Sequence, residues 1–310
     1  MPENPSIAVV VLNHGRAQDT IACAKSVLGQ RPFLLVLVDN ASPDDSVRKL
    51  ADFCASNGPF AQFTAANADE ARARASALAE KPGALLVVLP HNRGYAAGNN
   101  SGLAAALALG ADACWILNND TLLEPEALQN IQKALLERAG EGIGLFGTAV
   151  LCGHDGRVQC LGGGHTNHWS GLSSQAGNGL TKEEAAKIPR QEIESRLNYI
   201  CGASVVATRN FLEKTGLMDE AFFLYCEEQD WAIRGEKNGF GLGFVPDASI
   251  IHFEGSTTGM RPGSRPPSRM ARLALSRLRL AAKHAPITMP TVAAGLLVGF
   301  ARIWWRKFFG

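Results

Sequence analysis

The sequence predicts an α/β protein built on a mostly parallel, doubly wound central sheet flanked by helices, with a helical extension at the C-terminus. Short apolar, β-branched runs alternate with segments whose apolar residues recur at helical spacing, as in βα units whose strands are buried on both faces. Each run ends in a polar cluster, as strands do where they open on a ligand crevice. The 310 residues are 46% hydrophobic and 19% charged, enough apolar material for one large α/β domain or two smaller ones.

The elements follow in order. Residues 7–12 are a strand ended by Asn13-His14-Gly15, and residues 17–29 a helix with Ile21, Ala24, Lys25 and Leu28 on one side. Residues 34–38 form the second strand, ended by Asp39-Asn40, and a helix begins near Asp44. Residues 65–82, rich in Ala, Arg and Glu, read as a solvated helical insertion. The alternation resumes with a strand at 85–89, an Ala-rich helix at 96–109, a strand at 114–117 and a helix at 125–138 whose first turn holds a proline. From Ile143 it gives way to Gly-rich stretches at 162–164 and 171–179, then a polar helix at 182–196, which together read as a substrate-shaping region. A strand at 249–251 leads into His252. The Pro-rich run 261–267 reads as a linker to two further helices, 268–284 and 288–309.

Net charge is +1, but no Asp or Glu follows Glu254, so a near-neutral body carries a basic arm. Seven cysteines, none paired at two-residue spacing, exclude a zinc knuckle or a thioredoxin-type site. Reduced, buried thiols are expected, which favours a cytoplasmic location. The first residues lack a basic segment followed by an apolar one, and no secretory signal is expected.

Four polar clusters, at Asn13, Asp39-Asn40-Ala41-Ser42, Asn92-Arg93-Gly94 and Asn118-Asn119-Asp120, follow four predicted strands and would converge on one sheet edge. Asp39 reads either as a turn and capping residue or as a carboxylate that accepts hydrogen bonds from a base or ribose. The segment from Asn92 through Gly94, Gly98 and Asn99 to Gly102 runs from strand into helix, where backbone N–H groups attract anions. It matches neither the GxGxxG fingerprint nor a Walker loop. Gly98 and Gly102, four apart, also permit close helix packing. Asp120, with Asn118 and Asn119 beside it, suits a hard Mg2+ or Mn2+ ion whose shell is completed by diphosphate oxygens. His252 reads as structural or as a second ligand of that ion. Glu227-Glu228-Gln229-Asp230 lies among aromatics at the start of a helix ending near Gly239. Those acids either cap the helix or, crowded and partly buried, acquire the raised pKa of a general base.

Together these segments, with Val10-Val11-Leu12-Asn13, Cys201-Gly202-Ala203-Ser204 and His252-Phe253-Glu254-Gly255-Ser256, resemble the family 2 glycosyltransferases of the GT-A fold, and within them the rhamnosyltransferase-like group that builds bacterial polysaccharides. The resemblance covers about residues 7 to 260 in the expected order and rests on the ordered set. It implies a GT-A domain over 1–260, with a nucleotide-sugar-binding half at 1–122 and an acceptor-binding half at 123–260, followed by a basic amphipathic tail at 261–310. It also implies that Asp39 contacts the base, that Asp120 ends the DXD-type motif, and that Glu227-Glu228 is the acceptor-side acidic motif, whose second position supplies the base. The donor it implies is a nucleoside-diphosphate sugar, dTDP-rhamnose by subgroup; the acceptor is a glycan or a lipid-linked sugar. Asn118 stands where many relatives have the first Asp, and Glu228 where Asp is commoner.

Residues 285–301 carry no charge and sit between Arg279, Lys283 and Arg302, with Trp304-Trp305 beyond. At the short limit for a membrane-spanning helix and interrupted by Pro286 and Pro290, the segment better suits an interfacial helix on the anionic cytoplasmic face of the inner membrane, or else a helix that completes the core or a homodimer interface. Competing functions are a nucleotidyltransferase, which would need a basic Gly-rich loop after the first strand, and a nucleotide-sugar-binding module that has lost catalysis. Nucleic-acid binding is not expected of an arm so apolar.

Overall fold

The computed structural model describes residues 4–253 and 267–298. Its first half runs β1 (Ile7–Asn13), α1 (Ala17–Leu28), β2 (Leu34–Asn40), α2 (Ser46–Ala55), β3 (Phe60–Thr64), α3 (Ala68–Ser76), β4 (Ala84–Leu89), α4 (Tyr95–Ala108) and β5 (Ala113–Asn118). There follow β6 (Thr121–Leu123), α5 (Ala127–Glu137), β7 (Ile143–Cys152), β8 (Val158–Leu161), β9 (Gly163–Thr166), β10 (Ser173–Gln175), α6 (Lys182–Ala185) and α7 (Arg190–Glu194). The remainder is β11 (Tyr199–Ile200), β12 (Ser204–Thr208), α8 (Arg209–Thr215), α9 (Glu227–Lys237), β13 (Gly241–His252) and α10 (Pro267–His284). A 3-10 turn, Pro286–Thr288, then leads into helical residues 289–298.

Ten strands make one sheet in the order β3-β4-β2-β1-β5-β12-β7-β13-β6, with β8 beside β7, and β10-β9-β11 form a small second sheet. The first five are parallel neighbours, as the βα alternation predicts. Beyond them β12 runs antiparallel between β5 and β7, which makes the sheet mixed. Register aligns the strand ends: Asn13 faces Asp39, Leu12 faces Asn118 and Asn40 faces Leu89, so the polar clusters fall on one edge.

Both faces of the sheet are covered. Ile7, Val9 and Val11 pack into one core with Cys23, Ala24 and Val27 of α1, while Ala8 and Val10 pack into the other with Leu103 and Ala106 of α4. Burial on both sides is why β1 and β2 are apolar throughout rather than alternating. Helix α4 seats unusually close: a Cβ at Gly98 would lie 2.5 Å from Leu12 Cδ1, and one at Gly102 2.5 Å from Val10 Cγ1.

Within the expected helix 65–82 lies the shorter α3, and just before it runs an edge strand, β3, that has no counterpart in the expectations. Strand β3 is only half-buried, so no apolar run marks it. Helix α3 is not wholly solvated, since Ala71 and Ala75 join the core beneath α4. The polar helix expected at 182–196 is two short helices interrupted at Pro189, and the helix expected from 125 begins at Ala127. The long strand β7 has no counterpart in the expectations. It carries Gly144 and Gly147, and a Cβ at Gly147 would stand 2.0 Å from the Gly162 carbonyl oxygen of the chain crossing it. Glycine here serves a close backbone crossing and breaks the β-branched signature.

Helix α10 lies where 268–284 was expected, and the second C-terminal helix is seen over 289–298. The linker 261–266, the segment Glu254–Ser256 and residues 299–310 with Trp304 and Trp305 lie outside the described residues. Among the described residues, no helix is long and apolar enough to cross a membrane. All seven cysteines are free thiols, six of them buried.

Gly147→Ala should cost about 1–3 kcal/mol, the usual penalty for forcing a methyl into filled space. Urea unfolding would read it, and an unchanged midpoint would mean that the Gly162 crossing yields without cost.

Candidate functional site

One side of the crevice is a chain of hydrogen bonds along the carboxyl edge. Asn13 Nδ2 donates to Asp39 Oδ2 at 2.8 Å and to Ser42 Oγ at 3.0 Å, while Asn13 Oδ1 accepts from Thr20 Oγ1 at 2.7 Å. Asp39, fully buried, also accepts from the Ser42 N–H and hydroxyl. The turn after β2 is thereby locked and the Asp39 carboxylate held in one orientation. Asn40 Nδ2 donates to Asn92 Oδ1 and to the Gly94 carbonyl, joining the turns after β2 and β4.

Gly94 has φ +96°, and a Cβ there would lie 2.3 Å from the Phe223 carbonyl oxygen. That same oxygen accepts from the Tyr95 N–H at 2.8 Å. Only glycine permits this backbone-to-backbone approach. Gly98 serves the packing of α4 on β1, and Asn99, fully buried within α4, donates to the Tyr95 carbonyl.

Asp120 follows β5 in a turn closed by Thr121 Oγ1 on the Asn118 carbonyl. Asn119 Nδ2 donates to Thr20 Oγ1, which ties this turn to Asn13. His252, at the end of β13, places Nε2 3.2 Å from Asp120 Oδ1 and 3.5 Å from Asn118 Nδ2. Its Nδ1 is 2.8 Å from Gln159 Oε1. With Gln159 Oε1 accepting, Nδ1 carries the proton and Nε2 is left as a ligating lone pair, the usual outer-sphere arrangement of a metal-binding histidine. Among the described residues no three His, Cys, Asp or Glu side chains converge into a preformed cage. One carboxylate oxygen beside one imidazole nitrogen therefore fits a divalent ion that takes its remaining ligands from diphosphate oxygens.

The other side of the crevice is built on α9. Its entry, Tyr225 and Cys226, has φ +73° and +69°, two consecutive left-handed non-glycine residues. Such conformations cost energy and persist only where surrounding contacts impose them. Tyr95 N–H holds Phe223, Ser276 Oγ of α10 donates to the Leu224 carbonyl at 2.9 Å, and Arg269 bonds the Tyr225 hydroxyl.

The strained entry delivers Glu227 and Glu228 into an apolar setting. Glu227 is buried and Glu228 keeps a partly exposed edge. The Oε2 atom of each is buried, with no hydrogen-bond partner among the described residues. Burial pushes both carboxyls up, Glu227 well above the usual range with the neighbouring Glu228 charge adding to it, and Glu228 to about 7. Glu228 Oε1 lies 3.4 Å from where a Gly202 Cβ would stand, and Tyr95 Oη, close by, donates to the Gly202 carbonyl. The next residue, Ala203, accepts from the Asn118 N–H. Two residues of chain thus separate the carboxylate of Glu228 from the turn that carries Asp120.

Asp230 is placed differently. Fully buried, it is bound by Arg234 at 2.8 Å, Lys283 at 2.6 Å and His284 at 2.7 Å. Burial alone would raise its carboxyl, but hydrogen bonds from Lys283, His284 and Arg234 outweigh it and hold the group below the usual range. Its Oδ1 fastens α10 to α9 through Lys283 and His284, while its Oδ2 accepts from Arg234 one turn along α9. Thr20, Tyr95 and Gln159 join the site unannounced by the sequence. Thr20 is an ordinary helical threonine in pattern, Gln159 lies in a Gly-rich stretch, and only Tyr95 stands within a motif read as functional.

The architecture is that of the GT-A glycosyltransferases. Its solved relatives include GalNAc-T7 with UDP, GalNAc and Mn2+, at TM-score 0.59 and 14% identity, covering 91% of this chain and 48% of that one. A mannosyltransferase from Pyrobaculum calidifontis in complex with GDP-Man and Mn2+ superposes at TM-score 0.50 and 16% identity, covering 97% of this chain and 76% of that one. In sequence, residues 6–142 match the family described as Glycosyl transferase family 2. Over 71 residues the chain is 30% identical to the N-acetylglucosaminyl-diphospho-decaprenol L-rhamnosyltransferase of Mycobacterium tuberculosis, a match spanning 23% of this chain and only 23% of that protein.

The raised Glu228 pKa sets a pH signature. Between its ordinary value of 4.5 and about 7 the folded state keeps a proton that the unfolded chain has released, so stability falls as pH rises through that window. Glu228→Gln should therefore melt higher than wild type at about pH 8, with the advantage shrinking towards about pH 4. Calorimetric Tm values would show it, and an advantage independent of pH would remove the buried-carboxylate account.

Proposed function

We propose that this chain is an inverting glycosyltransferase, carrying a sugar from a nucleoside-diphosphate donor to a glycan or lipid-linked acceptor in bacterial surface polysaccharide synthesis. The observation that carries the proposal is the pairing of two centres across Gly202-Ala203: Asp120 beside His252, and Glu228 with an unpartnered carboxylate oxygen. Rhamnose from dTDP-rhamnose is the favoured donor, supported by the 71-residue likeness to a rhamnosyltransferase. The C-terminal helices favour work at the cytoplasmic face of the inner membrane as a peripheral protein.

Glu228 takes the proton of an acceptor hydroxyl as its oxygen attacks the anomeric carbon. The bond from that carbon to the diphosphate oxygen breaks, its electron pair leaving with the nucleoside diphosphate, and one displacement inverts the centre. A carboxyl raised to about 7 is suited to this, because a substantial fraction is ionised at neutral pH while the carboxylate is basic enough to take a proton. Asp39, Asn13 and Ser42 hold the nucleoside, and the α4 N-terminus at Gly94 faces the phosphates. Asp120 and His252 would hold Mg2+ or Mn2+, which supplies charge neutralisation at the leaving diphosphate. Asn118 in place of a carboxylate supports a second reading, a donor-binding module without turnover, which the raised Glu228 counters.

Asp120→Ala and Glu228→Gln, each confirmed folded, should lower transfer by about 10²- to 10⁴-fold, as loss of a general base does. Chelator should abolish turnover and Mn2+ restore it in a nucleotide-sugar panel. Wild-type rates in either variant, or turnover in chelator, would defeat the assignment of roles.

A further inference from the structure

We propose that the turn between β9 and β10 joins the C-terminal helices in one face that docks on an anionic lipid surface. Trp169 and Leu172, in that turn, are 61% and 49% exposed. The turn lies against helical residues 289–298: a Cβ at Gly171 would meet Val292 Cγ1 at 2.9 Å, and one at Gly295 would meet the Ser170 carbonyl at 2.7 Å. Val292 and Leu296 point inward to Ala281, while Leu297 and Val298 face out, Leu297 70% exposed. Just before them Ile287 is 79% exposed. No residue from 285 to 298 is charged, so this helix is apolar on its outer side as well as its inner one. Among the described residues, packing leaves this apolar outer side uncovered.

Charge selects the occupant. On α10, exposed Leu275 stands between exposed Arg272 and Arg279, three and four residues away, and the chain holds no acid after Glu254. Basic residues interleaved with large apolar ones, beside an exposed tryptophan, match a bilayer interface with anionic headgroups. Helix α10 is also the element that Lys283 and His284 fasten to Asp230, and its Leu280 packs on Phe222 and Cys226. The docking face and α9, whose first turn carries Glu228, therefore belong to one packed unit. Resting on the proposed lipid-linked acceptor, this arrangement would hold Glu228 at a fixed height above the membrane that delivers the hydroxyl.

Sedimentation of the full chain with vesicles tests the face without donor or acceptor, and transfer to a soluble acceptor, assayed separately, tests the enzyme. Vesicles of phosphatidylglycerol and phosphatidylcholine should bind the protein, less so at high salt, and phosphatidylcholine alone should not. Trp169→Ser/Leu172→Ser and Leu297→Ser/Val298→Ser, with unchanged melting and unchanged soluble transfer, should each weaken binding about tenfold. Undiminished binding by both pairs, or equal binding to neutral vesicles, would overturn the proposal. So would a wild-type dimer that these substitutions split into monomers, since it would assign the face to a second copy of the chain.

Discussion

A carboxylate stripped of water must be neutralised where it stands, and Asp230 imposes that condition on the C-terminal half of this protein. Two cations and an imidazole from two helices answer it: Arg234 from the next turn of α9, and Lys283 with His284 from the end of α10, where burial lowers the His284 pKa and its ring serves as a hydrogen-bond partner. Helix α10 thereby becomes part of the wall that shapes the turn before Glu227. Its Ser276 and Arg269 restrain that turn at Leu224 and Tyr225, where two residues hold left-handed backbone. The tail that looked like an appendage in sequence is a brace for the proposed base.

The two halves of the site obtain their order by different means. On the proposed donor side a continuous chain of hydrogen bonds runs from Asn119 through Thr20 and Asn13 to Asp39 and Ser42, so a ligand meets groups already oriented. On the acceptor side the two glutamates are left short of partners, and their unmet demand shows as raised proton affinity. Rigid recognition at one side and stored electrostatic discomfort at the other fit a donor held still and a proton taken up.

Much of this was legible before any coordinates. The parallel half announced itself because strands buried on both faces must be apolar throughout, and the polar residues ending them could only gather at one edge. Asp120 and His252, 132 positions apart in sequence, were paired by their chemistry alone and lie 3.2 Å apart. What escaped notice was governed by contacts between distant segments. Strand β7 hides behind Gly144 and Gly147, whose glycines answer to Phe211 and to the Gly162 backbone rather than to strand propensity. Strand β3 is an edge with little to bury, and Gln159 and Thr20 are common residues that acquire meaning only through the partners the fold brings to them. Asp230 shared a motif with the glutamates, yet a separation of two helical positions turned it away from Glu228 and towards α10.

The seam at Gly94 has a mechanical consequence. Main chain rests directly on main chain there, with the Phe223 carbonyl filling the space a side chain would take and bonded to Tyr95 N–H. Backbone has no rotamers with which to absorb a displacement. Any shift of the loop that follows β4 is therefore passed undamped to the turn that aims Glu228, and the two walls of the crevice can travel only as a pair.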